Sequence, residues 1–531
     1  MGDDINLVLS KNNNIYDEVP YESYSYPMSN LYHLMTTADL FGISPTPVES
    51  ARVLELGCAA GGNLIPHAIN NPNAKFIGID LSKVEIDEAQ NSITKLGLKN
   101  IEFYNCSIAE VGANFGKFDY IICHGVISWV PEFIRTKIFE ICKKNLTEHG
   151  VAYISYNTLP GWNMIRTIRD MMLYHSNMFT NVGEKIQQSR LLLEFVKDSL
   201  VNSNAPYAEV LKKEAALLAK QSDYYLCHDH LEENNKQYYF HEFIDNAKKH
   251  GLQYLSDCNI STMYLGNMPQ KVVEKLQVIN DIVRTEQYMD FITNRRFRST
   301  LLCHDSMQLN RKLDNNSLLK YNIFLNLVPE IPIANCNLND SSEKISFFHN
   351  GNRDLKISVS SPIMKAIFYT FSENINNPLN IDTLVSIANQ KLKNRSVIEV
   401  KSEFVNNSLP LFLQGYLGIT LHKPRNKPDL NKPKLAPYVA YQIVNTPKMW
   451  VTNLLHEVIL LNVFEKIALS YMTGKNNKNQ ILDALLEHIT KGELTISKDG
   501  KKVEDQEILH KDVSNFLDAT INKAHVSALL V

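Results

Sequence analysis

The stretch of the chain best suited to hold a ligand reads V-L-E-L-G-C-A-A-G-G-N, from Val53 to Asn63. Apolar residues on both sides of Glu55 predict a buried parallel strand, and the small residues that follow predict a tight turn into a helix over residues 63–68. Small residues at such a turn let a ligand lie against the backbone, and the N–H groups that begin a helix favour negative charge. We therefore expect a ligand with an anionic group to bind at this turn.

The choice of ligand rests on residues around the turn. The motif G-x-A-x-x-G that begins at Gly57 is compatible with a dinucleotide, and Asp80, at the end of the next predicted strand, would accept hydrogen bonds from the ribose of NAD or of S-adenosylmethionine. Two features favour S-adenosylmethionine. Glu55 lies where a methyltransferase has a carboxylate near the amino group of its cofactor, and the apolar segment Phe118–Val126 is of the kind that closes a methyltransferase site.

These features together resemble the class I S-adenosylmethionine-dependent methyltransferases. Further segments are similar to the rickettsial protein-lysine methyltransferases that modify outer membrane protein B. One of them, Glu286–Arg298, resembles the methyltransferase regulatory domain of such chains. The segments are Y-D-E-V-P-Y-E-S-Y (Tyr16–Tyr24), S-Y-N-T-L-P-G-W (Ser155–Trp162), H-D-H-L-E (His228–Glu232) and E-Q-Y-M-D-F…N-R-R-F-R (Glu286–Arg298).

The resemblance implies a protein-lysine N-methyltransferase that uses S-adenosylmethionine, releases S-adenosylhomocysteine and requires no metal. Its substrate would be a large surface protein similar to outer membrane protein B, modified at many lysines before export. Relatives of this kind are homodimers, so the resemblance also implies a homodimer.

The predicted cofactor contacts follow from these positions. The backbone from Gly57 to Gly61 should pass beneath the ligand, Asn63 should face the methionine carboxylate, and Leu81 should pack on the adenine beside Asp80. The complete predicted set is Tyr16, Glu55, Gly57, Cys58, Ala59, Gly61, Asn63, Asp80, Leu81, Ser107, Ile108, His124 and Gly125.

Two of these positions depart from the family pattern. Ala59 replaces the middle glycine of the turn, and Ser107 stands where many relatives carry an Asp that bonds the adenine amino group. With Ser at that position, we expect the N–H of Ile108 to contribute more of the adenine recognition. His124 is expected near the methionyl portion of the ligand through its backbone.

A lysine substrate must first lose a proton, because its ammonium group has a pKa near ~10.4 and carries no lone pair. An aromatic channel of low polarity would lower that pKa. Trp129, Tyr156 and Trp162 follow predicted strands at the ligand edge of the sheet, and with Tyr24 they are the expected channel residues; each could instead be a core or lid-packing aromatic. Tyr16 and Tyr24 belong to an N-terminal arm that either packs on the domain or closes over the sulfonium by cation–π attraction.

Composition narrows the classes of partner. The formal charge of −3 gives no general attraction to nucleic acid or anionic lipid. No uninterrupted apolar run reaches the length of a membrane span, and the start M-G-D-D-I-N is acidic where a secretory signal would be basic. We therefore expect a cytoplasmic protein with no membrane insertion.

A metal site is not expected. The eight cysteines include no C-x-x-C pair, so the sequence indicates neither a disulfide framework nor a zinc site. His228 and His230 are only two residues apart, with no matching distant pair, and the segment around them is expected to line the substrate cleft or to cap it.

The elements that must position these residues alternate between strands and helices. Strands are predicted at 52–56, 75–79, 101–105, 118–123 and 150–156, with helices at 83–96 and 132–146 between them. Right-handed crossovers then give an α/β fold with a Rossmann-like, doubly wound parallel sheet whose ligand lies across the carboxyl ends of the strands.

The remaining chain predicts a helical insertion and additional, mostly helical or α+β C-terminal domains. A strand is expected near 251–257, residues 264–325 are expected to be mainly helical, and Thr446-Pro447 is expected to open the last helical unit after a proline-rich linker at 424–437. The predicted domains are an N-terminal arm or lid (1–48), the cofactor-binding methyltransferase domain (49–162), a helical insertion (163–220), the remainder of the core with regulatory-domain-like helices (221–340), a middle domain (343–425) and a C-terminal helical domain (438–531).

Two other functions remain open from the sequence. One is methylation of a small molecule, which would bind in a sealed pocket, whereas a protein substrate needs an open cleft. The other is a regulator that senses the cofactor, binds a partner through residues 264–531 and transfers no methyl group.

Overall fold

The computed structural model describes residues 21–531 except 326, 350, 351, 499, 500 and 504. The chain divides into two compact units. The first holds the described residues up to Ser23 together with Thr37–Leu309, and the second holds Tyr24–Thr36 together with Asn310–Val531.

The first unit is built on a central β-sheet. Its strands are β1 (Arg52–Leu56), β2 (Lys75–Asp80), β3 (Ile101–Asn105), β4 (Phe118–Cys123), β5 (Leu146–Asn157), β6 (Leu252–Asp257) and β7 (Phe297–His304). Within the described residues these seven strands lie in the order β3-β2-β1-β4-β5-β7-β6. Strands β1 to β5 are parallel, and β7 pairs antiparallel with both β5 and β6. The predicted doubly wound sheet is therefore confirmed.

Helices alternate with these strands along the chain. They are α1 (Leu31–Leu40), α2 (Ile65–Asn70), α3 (Lys83–Leu96), α4 (Glu132–Asn145), α5 (Trp162–Ser176), α6 (Val182–Ser199), α7 (Pro206–Leu218), α8 (Phe240–Lys249), α9 (Gln270–Leu276) and α10 (Ile282–Thr293). Local sequence explains the ends of α3, because the Ser82 hydroxyl accepts the N–H of Glu85 and Gly97 ends the helix at φ +68°. Helices α5 to α7 lie in the predicted insertion and share their own apolar core.

The main core of the first unit lies between the sheet and helices α4 and α8. Ile121 and Ile154 of the sheet are fully buried in it with Phe139 of α4 and Phe243 of α8. Tyr156 belongs to the same core, because its ring stacks on Phe243 with 3.9 Å between centroids. Burial of these large apolar side chains, at about 1.5–3 kcal/mol each, fixes the sheet against its helices.

Strand β7 corrects the expectation that residues 264–325 are mainly helical. Residues 297–304 pair along β5, with Tyr156 opposite Arg298 and Ile154 opposite Thr300. Arg298 is 1% exposed, so this charged residue of the strand lies in the interior. The sequence did not predict this strand because the partners of its buried charge lie on other elements.

Those partners form a buried ionic cluster around Arg298. Its guanidinium donates to both oxygens of Asp290 at 2.8 and 2.9 Å, and to Glu286 at 2.9 Å. Asp257 of β6 lies 3.4 Å away, and the Phe240 ring lies 3.7 Å from the guanidinium carbon. Burial raises the pKa of Glu286 and Asp257, and the positive charge of Arg298 opposes that rise. The cluster joins α10, β6 and β7.

The second unit is a mixture of small sheets and helices. Its elements are β8 (Asn322–Phe324), β9 (Leu327–Pro329), β10 (Ile345–His349), β11 (Asn352–Val359), α11 (Pro362–Ser372), α12 (Ile381–Gln390), α13 (Val397–Leu413), β12 (Gly418–Thr420), α14 (Pro437–Asn445), β13 (Trp450–Thr452), β14 (Val458–Leu460), α15 (Val463–Ser470), α16 (Lys478–Thr490), β15 (Ser497–Lys498), β16 (Lys501–Lys502) and α17 (Gln506–Val526). The additional C-terminal α+β elements expected from the sequence are present.

The start of the last helical segment was predicted wrongly. Helix α14 begins at Pro437 and ends at Asn445, and Thr446 caps its end by donating its hydroxyl to the carbonyl of Gln442 at 2.9 Å. After Pro447 the chain forms the hairpin of β13 and β14 instead of a helix. Proline suits the first turn of a helix, and here the proline at 437 is the one in that position. No helix among the described residues is long and apolar enough to cross a membrane.

We expect Arg298→Ala to lower the free energy of unfolding by about 3–5 kcal/mol, because it leaves three carboxylates buried without their main counter-charge. Arg296→Ala is the matched control. That side chain is 45% exposed and pairs with Glu214, so its loss should cost about 1 kcal/mol or less. Denaturant unfolding of both variants measures the difference, and equal losses would show that the cluster contributes no special stability.

Candidate active site

Glu55 lies two residues before the predicted cofactor turn. It lies in β1, is 3% exposed, and its Oε1 accepts a hydrogen bond from the Asn63 amide at 2.7 Å. Its Oε2 is buried and accepts no hydrogen bond from any described residue. Burial raises the pKa of Glu55 to about 8, opposed by the bond from Asn63. A buried carboxylate oxygen without a donor is a suitable partner for a cationic group of a ligand.

The turn itself has an unusual backbone. Gly57 and Gly61 both have φ +76°, and Ala59 has φ +45°, a value that residues with a side chain rarely adopt. A side chain at position 57 would meet Val126, and one at 61 would meet Phe103. Cys58 is buried, and its sulfur packs against Gly78 of β2. Strain of this kind is often found where a backbone binds a ligand.

Asp80 joins the ends of β1 and β2. Its Oδ2 accepts the N–H of Ala59 at 2.9 Å and its Oδ1 accepts the N–H of Ser82 at 2.9 Å. A carboxylate oxygen can accept more than one hydrogen bond, and ribose hydroxyls are donors that such an oxygen can accept. Leu81, predicted to contact the adenine, follows directly and is partly buried.

The sequence predicts N–H groups that are available to a ligand at the start of the helix, but in the structure several N–H groups of the turn bond to the protein itself. The helix after the turn begins at Ile65, and the N–H groups of Gly57 and Cys58 both donate to the Ile79 carbonyl. The N–H of Gly62 donates to the Ser23 hydroxyl at 2.8 Å. Most of the turn is therefore held by the protein itself, and an N-terminal segment crosses it. Tyr16, the arm residue that was predicted to contact the cofactor, lies outside the described residues.

Ser107 and Ile108 follow β3. The Ser107 hydroxyl accepts the N–H of Ala109, and its own N–H donates to Glu110, which completes a capping box for a short 3-10 helix. The hydroxyl is thus committed to the backbone, and Ile108 packs against the main core. This arrangement suits the proposal that backbone groups recognise the adenine here.

His124 and Gly125 directly follow β4 at the same edge of the sheet. The His124 Nδ1 lies 2.7 Å from the Tyr153 hydroxyl and 3.2 Å from the Ser155 hydroxyl, and the Phe297 ring lies 6.1 Å from the His124 ring. Burial lowers the pKa of His124 to about 3, so the ring is neutral. The N–H of Gly125 donates to the Ser155 hydroxyl at 2.8 Å.

The aromatic residues that were predicted to line the lysine channel lie in three different parts of the structure. Trp129 and Trp162 meet edge to face with 5.9 Å between centroids, so the loops after β4 and β5 are joined there. Tyr156 is 1% exposed and its hydroxyl lies 3.0 Å from that of Thr300, a core position that does not fit a channel residue. Tyr24 belongs to the second unit, where its ring lies 4.8 Å from that of Trp450.

Three site residues escaped the sequence reasoning. Ser23 holds Gly62, Ser155 holds both His124 and Gly125, and Phe297 packs beside His124. Ser155 lies in the motif S-Y-N-T-L-P-G-W, which was the available signal for it. Ser23 and Phe297 also lie in quoted segments, Tyr16–Tyr24 and Glu286–Arg298, but their contacts join distant parts of the chain, so the segments alone do not show what these residues hold.

Comparison with known proteins identifies the family. Models for a methyltransferase domain, a predicted methyltransferase regulatory domain and the C-terminal winged helix domain of PKMT match residues 47–198, 222–304 and 431–529. An uncharacterized protein of Rickettsia prowazekii is 61% identical, over 98% of this chain and 94% of the relative. PKMT2 from Rickettsia typhi, solved in complex with AdoHcy, is 40% identical with a TM-score of 0.89, over 96% of this chain and 100% of that one.

The chain belongs to the PKMT family, the protein-lysine methyltransferases. A second structure of R. typhi PKMT2 matches with 39% identity and a TM-score of 0.88, over 96% of this chain and 100% of that one. The resemblance to class I S-adenosylmethionine-dependent methyltransferases predicted from the sequence is therefore confirmed, including its regulatory domain.

The residues of this PKMT fit its cofactor. The Oε2 of Glu55, which accepts no hydrogen bond from a described residue, can receive the ammonium group, and the Asp80 carboxylate is an acceptor suited to ribose hydroxyls. When bound, S-adenosylmethionine supplies an electrophilic methyl group on a sulfonium. Among the described residues, no group of three or more His, Cys, Asp or Glu side chains is arranged to hold a metal ion.

The raised pKa of Glu55 makes cofactor affinity depend on pH. A cationic ligand binds the ionised carboxylate better, and below pH 8 the ionised fraction grows tenfold per pH unit, so the Kd for S-adenosylhomocysteine should fall about tenfold per unit between pH 6 and 8. Glu55→Gln should bind roughly tenfold or more weakly at pH 8 and lose this dependence. Calorimetry at several pH values measures both effects. Glu88→Gln, at an exposed acid, is the control, and a pH slope kept by the Glu55→Gln variant would contradict the assignment.

Proposed function

We propose that the protein transfers methyl groups from S-adenosylmethionine to the amino groups of lysine side chains in an outer-membrane or surface protein similar to outer membrane protein B. The supporting observation is the match to R. typhi PKMT2, which extends over 96% of this chain and so includes the units beyond the catalytic domain. The four sequence segments that resemble enzymes acting on outer membrane protein B support the choice of substrate.

Different residues of the site would have different roles in such a reaction. Glu55 and Asp80 hold the two ends of the donor, so that its methyl group is fixed in one place. The neutral ring of His124 adds no positive charge to a site that receives two cations, and Tyr153 and Ser155 keep that ring in position. We propose that Trp129 and Trp162 form the apolar wall that lowers the pKa of the incoming lysine amine.

The winged helix domain supports a protein partner over a nucleic acid. Helix α16 follows α15 in the position that reads DNA in helix-turn-helix proteins. Its exposed positions carry no Lys or Arg, and Lys478 at its start is half-buried and paired with Asp518, whereas binding to DNA depends on cations that neutralise phosphates. The exposed residues are Asn479, Gln480, Asp483, Glu487 and Thr490. We therefore propose that the protein binds no nucleic acid.

We further propose a cytoplasmic homodimer. The helical insertion exposes large apolar side chains on several helices, including Tyr174 (85%), Met178 (71%) and Phe195 (67%). Exposed apolar surface of this kind is uncommon on a monomer and is typical of a subunit interface. Sedimentation equilibrium should give twice the chain mass, and a monomer at micromolar concentration would remove this proposal.

Mass spectrometry tests the proposed reaction. The protein is incubated with S-adenosylmethionine and a denatured fragment of a surface protein, and with the same fragment in which every Lys is replaced by Arg. We expect methylated lysines only in the first fragment, and none with the Asp80→Ala variant. Label found only in small molecules would favour a small-molecule methyltransferase. Cofactor binding without transfer to anything would favour the sensing regulator.

Replacing either Trp129 or Trp162 should lower turnover with little effect on cofactor binding. We expect Trp129→Ala and Trp162→Ala to lower kcat by about tenfold or more while the Kd for S-adenosylhomocysteine changes less than about threefold, because the indoles shape the acceptor side. Tyr156→Phe is the matched control in the core, where loss of the bond to Thr300 should cost about 1 kcal/mol of stability without lowering kcat. A parallel loss of cofactor affinity in the tryptophan variants would contradict the channel role.

A further inference from the structure

An isolated carboxylate lies in the segment that carries the motif H-D-H-L-E. The segment forms a π-helix over Leu226–His230, a conformation often found at functional sites. Asp229 lies within it and is partly exposed. In the described part of the chain, its carboxylate accepts no hydrogen bond and forms no ion pair. Burial alone raises its pKa to about 7.

The contacts of this segment place it along the carboxyl edge of the sheet. On one side, the Tyr21 ring lies 5.7 Å from the His228 ring, and Tyr21 is two residues before Ser23, which holds the cofactor turn. On the other side, the N–H of Lys236 donates to the Ser128 carbonyl at 2.7 Å, in the loop after β4. The segment therefore runs from the cofactor turn to the loop that should face the methyl acceptor.

The end of β5 contacts the same segment. The N–H of Tyr238 donates to the Asn157 carbonyl at 3.0 Å, and the N–H of Asn157 donates to the Ser128 hydroxyl at 3.0 Å. The loops after β4 and β5 and the segment 228–238 are thus one hydrogen-bonded structure. Asp229 lies at the beginning of a segment whose later residues are bonded to the acceptor side of the fold.

Buried polar atoms without partners gather along this segment. Within the described ranges, hydrogen-bond partners are missing for the Nδ1 of His230, the Oε2 of Glu232, the Nδ2 of Asn235, the Nδ2 of Asn157 and the Nε of Arg169. Arg169 lies against the segment, because its guanidinium donates to the Glu232 carbonyl. Buried polar groups nearly always have partners, so such a concentration indicates a polar space that a ligand or water completes.

We propose that Asp229 receives the ammonium group of the target lysine and accepts its proton. This inference rests on the proposed lysine substrate and adds the residue that carries the proton. The N–H bond of the ammonium gives its proton to the Asp229 carboxylate, and the electron pair stays on nitrogen. That pair forms the new N–C bond to the methyl group while the C–S bond breaks and its electrons go to sulfur. Asp229 then returns the proton to water.

The charge of Asp229 suits this task. A proton acceptor works best when its pKa is near the working pH, and an unpaired carboxylate is free to meet a cation. Burial and the Asp229 charge raise the pKa of Tyr225 in the same segment, and Glu214 of α7 and Arg296 also act on that tyrosine. His228 and His230 flank Asp229 in sequence, and Arg169 of α5 acts on His230 and Glu232. Burial lowers the pKa of His230 to about 4, so that imidazole is neutral.

Asp229→Asn tests the proposal in the full-length protein. We expect kcat to fall about 10²-fold or more, and the rise of kcat with pH around 7 to disappear, because the wild-type carboxylate is deprotonated only above its pKa. The Kd for S-adenosylhomocysteine should stay within about threefold of wild type. Asp229→Glu should recover part of the rate. Glu233→Gln is the matched control, an exposed acid of the same segment, and should behave as wild type.

Thermal unfolding tests the state of the Asp229 carboxylate without measuring turnover. Because burial raises the pKa of Asp229, the folded wild type loses stability as pH rises from about 4 to 7. Asp229→Asn should therefore melt at a higher temperature than wild type at pH 8, with the difference vanishing near pH 4. A lower melting temperature would mean that the carboxylate has structural partners, and would overturn the proposal.

The outcomes separate this inference from the proposed function. Methylation of lysine by wild type, together with an unchanged kcat and pH profile in the Asp229→Asn variant, overturns the role of Asp229 and leaves the proposed function intact. Absence of lysine methylation by wild type overturns both. Loss of rate together with loss of cofactor binding also overturns the proton-accepting role.

Discussion

The buried charge of Arg298 determines how the sheet is completed. The guanidinium lies in β7 and binds two carboxylates of α10 and one of β6, so that a strand with a charged centre can lie inside the fold. Removing a partner would leave charge stranded in the interior, which is far more unfavourable than never placing it there. The same strand pairs with β5, and just before it the Arg296 carbonyl accepts the N–H of Thr158. The ionic cluster therefore also fixes the loop that leads to Trp162.

The cofactor site is preorganised by hydrogen bonds within the protein. Asp80 bonds the backbone of the turn and of the next helix, and Ser23 bonds Gly62. A binding site whose groups are held before the ligand arrives loses less conformational entropy on binding. Glu55 is the exception, because it keeps one buried oxygen without a described donor. Hydrogen bonds of the protein thus set the geometry of the site, and a bound cation can change the charge state of Glu55.

Local patterns predicted the cofactor half of the fold well. Strands β1, β2 and β4 are largely apolar, helix α3 begins after Ser82 and ends at Gly97, and these signals act over a few residues. Long-range pairing was not predictable in the same way. Arg298 looks like a surface residue until its carboxylate partners are placed around it, and Tyr156 alternates into the core on a strand buried on both faces, where periodicity does not distinguish the two sides.

The bond between Ser23 and Gly62 makes two distant parts of the sequence depend on each other. A methyl group added at position 62 would lie 2.3 Å from the Ser23 carbonyl oxygen, so the arm leaves no room for any larger residue. A lineage that acquired alanine at position 62 would have to reroute its N-terminal segment in the same evolutionary step. The residue type at position 62 is therefore constrained by a segment that lies 39 residues earlier in the sequence.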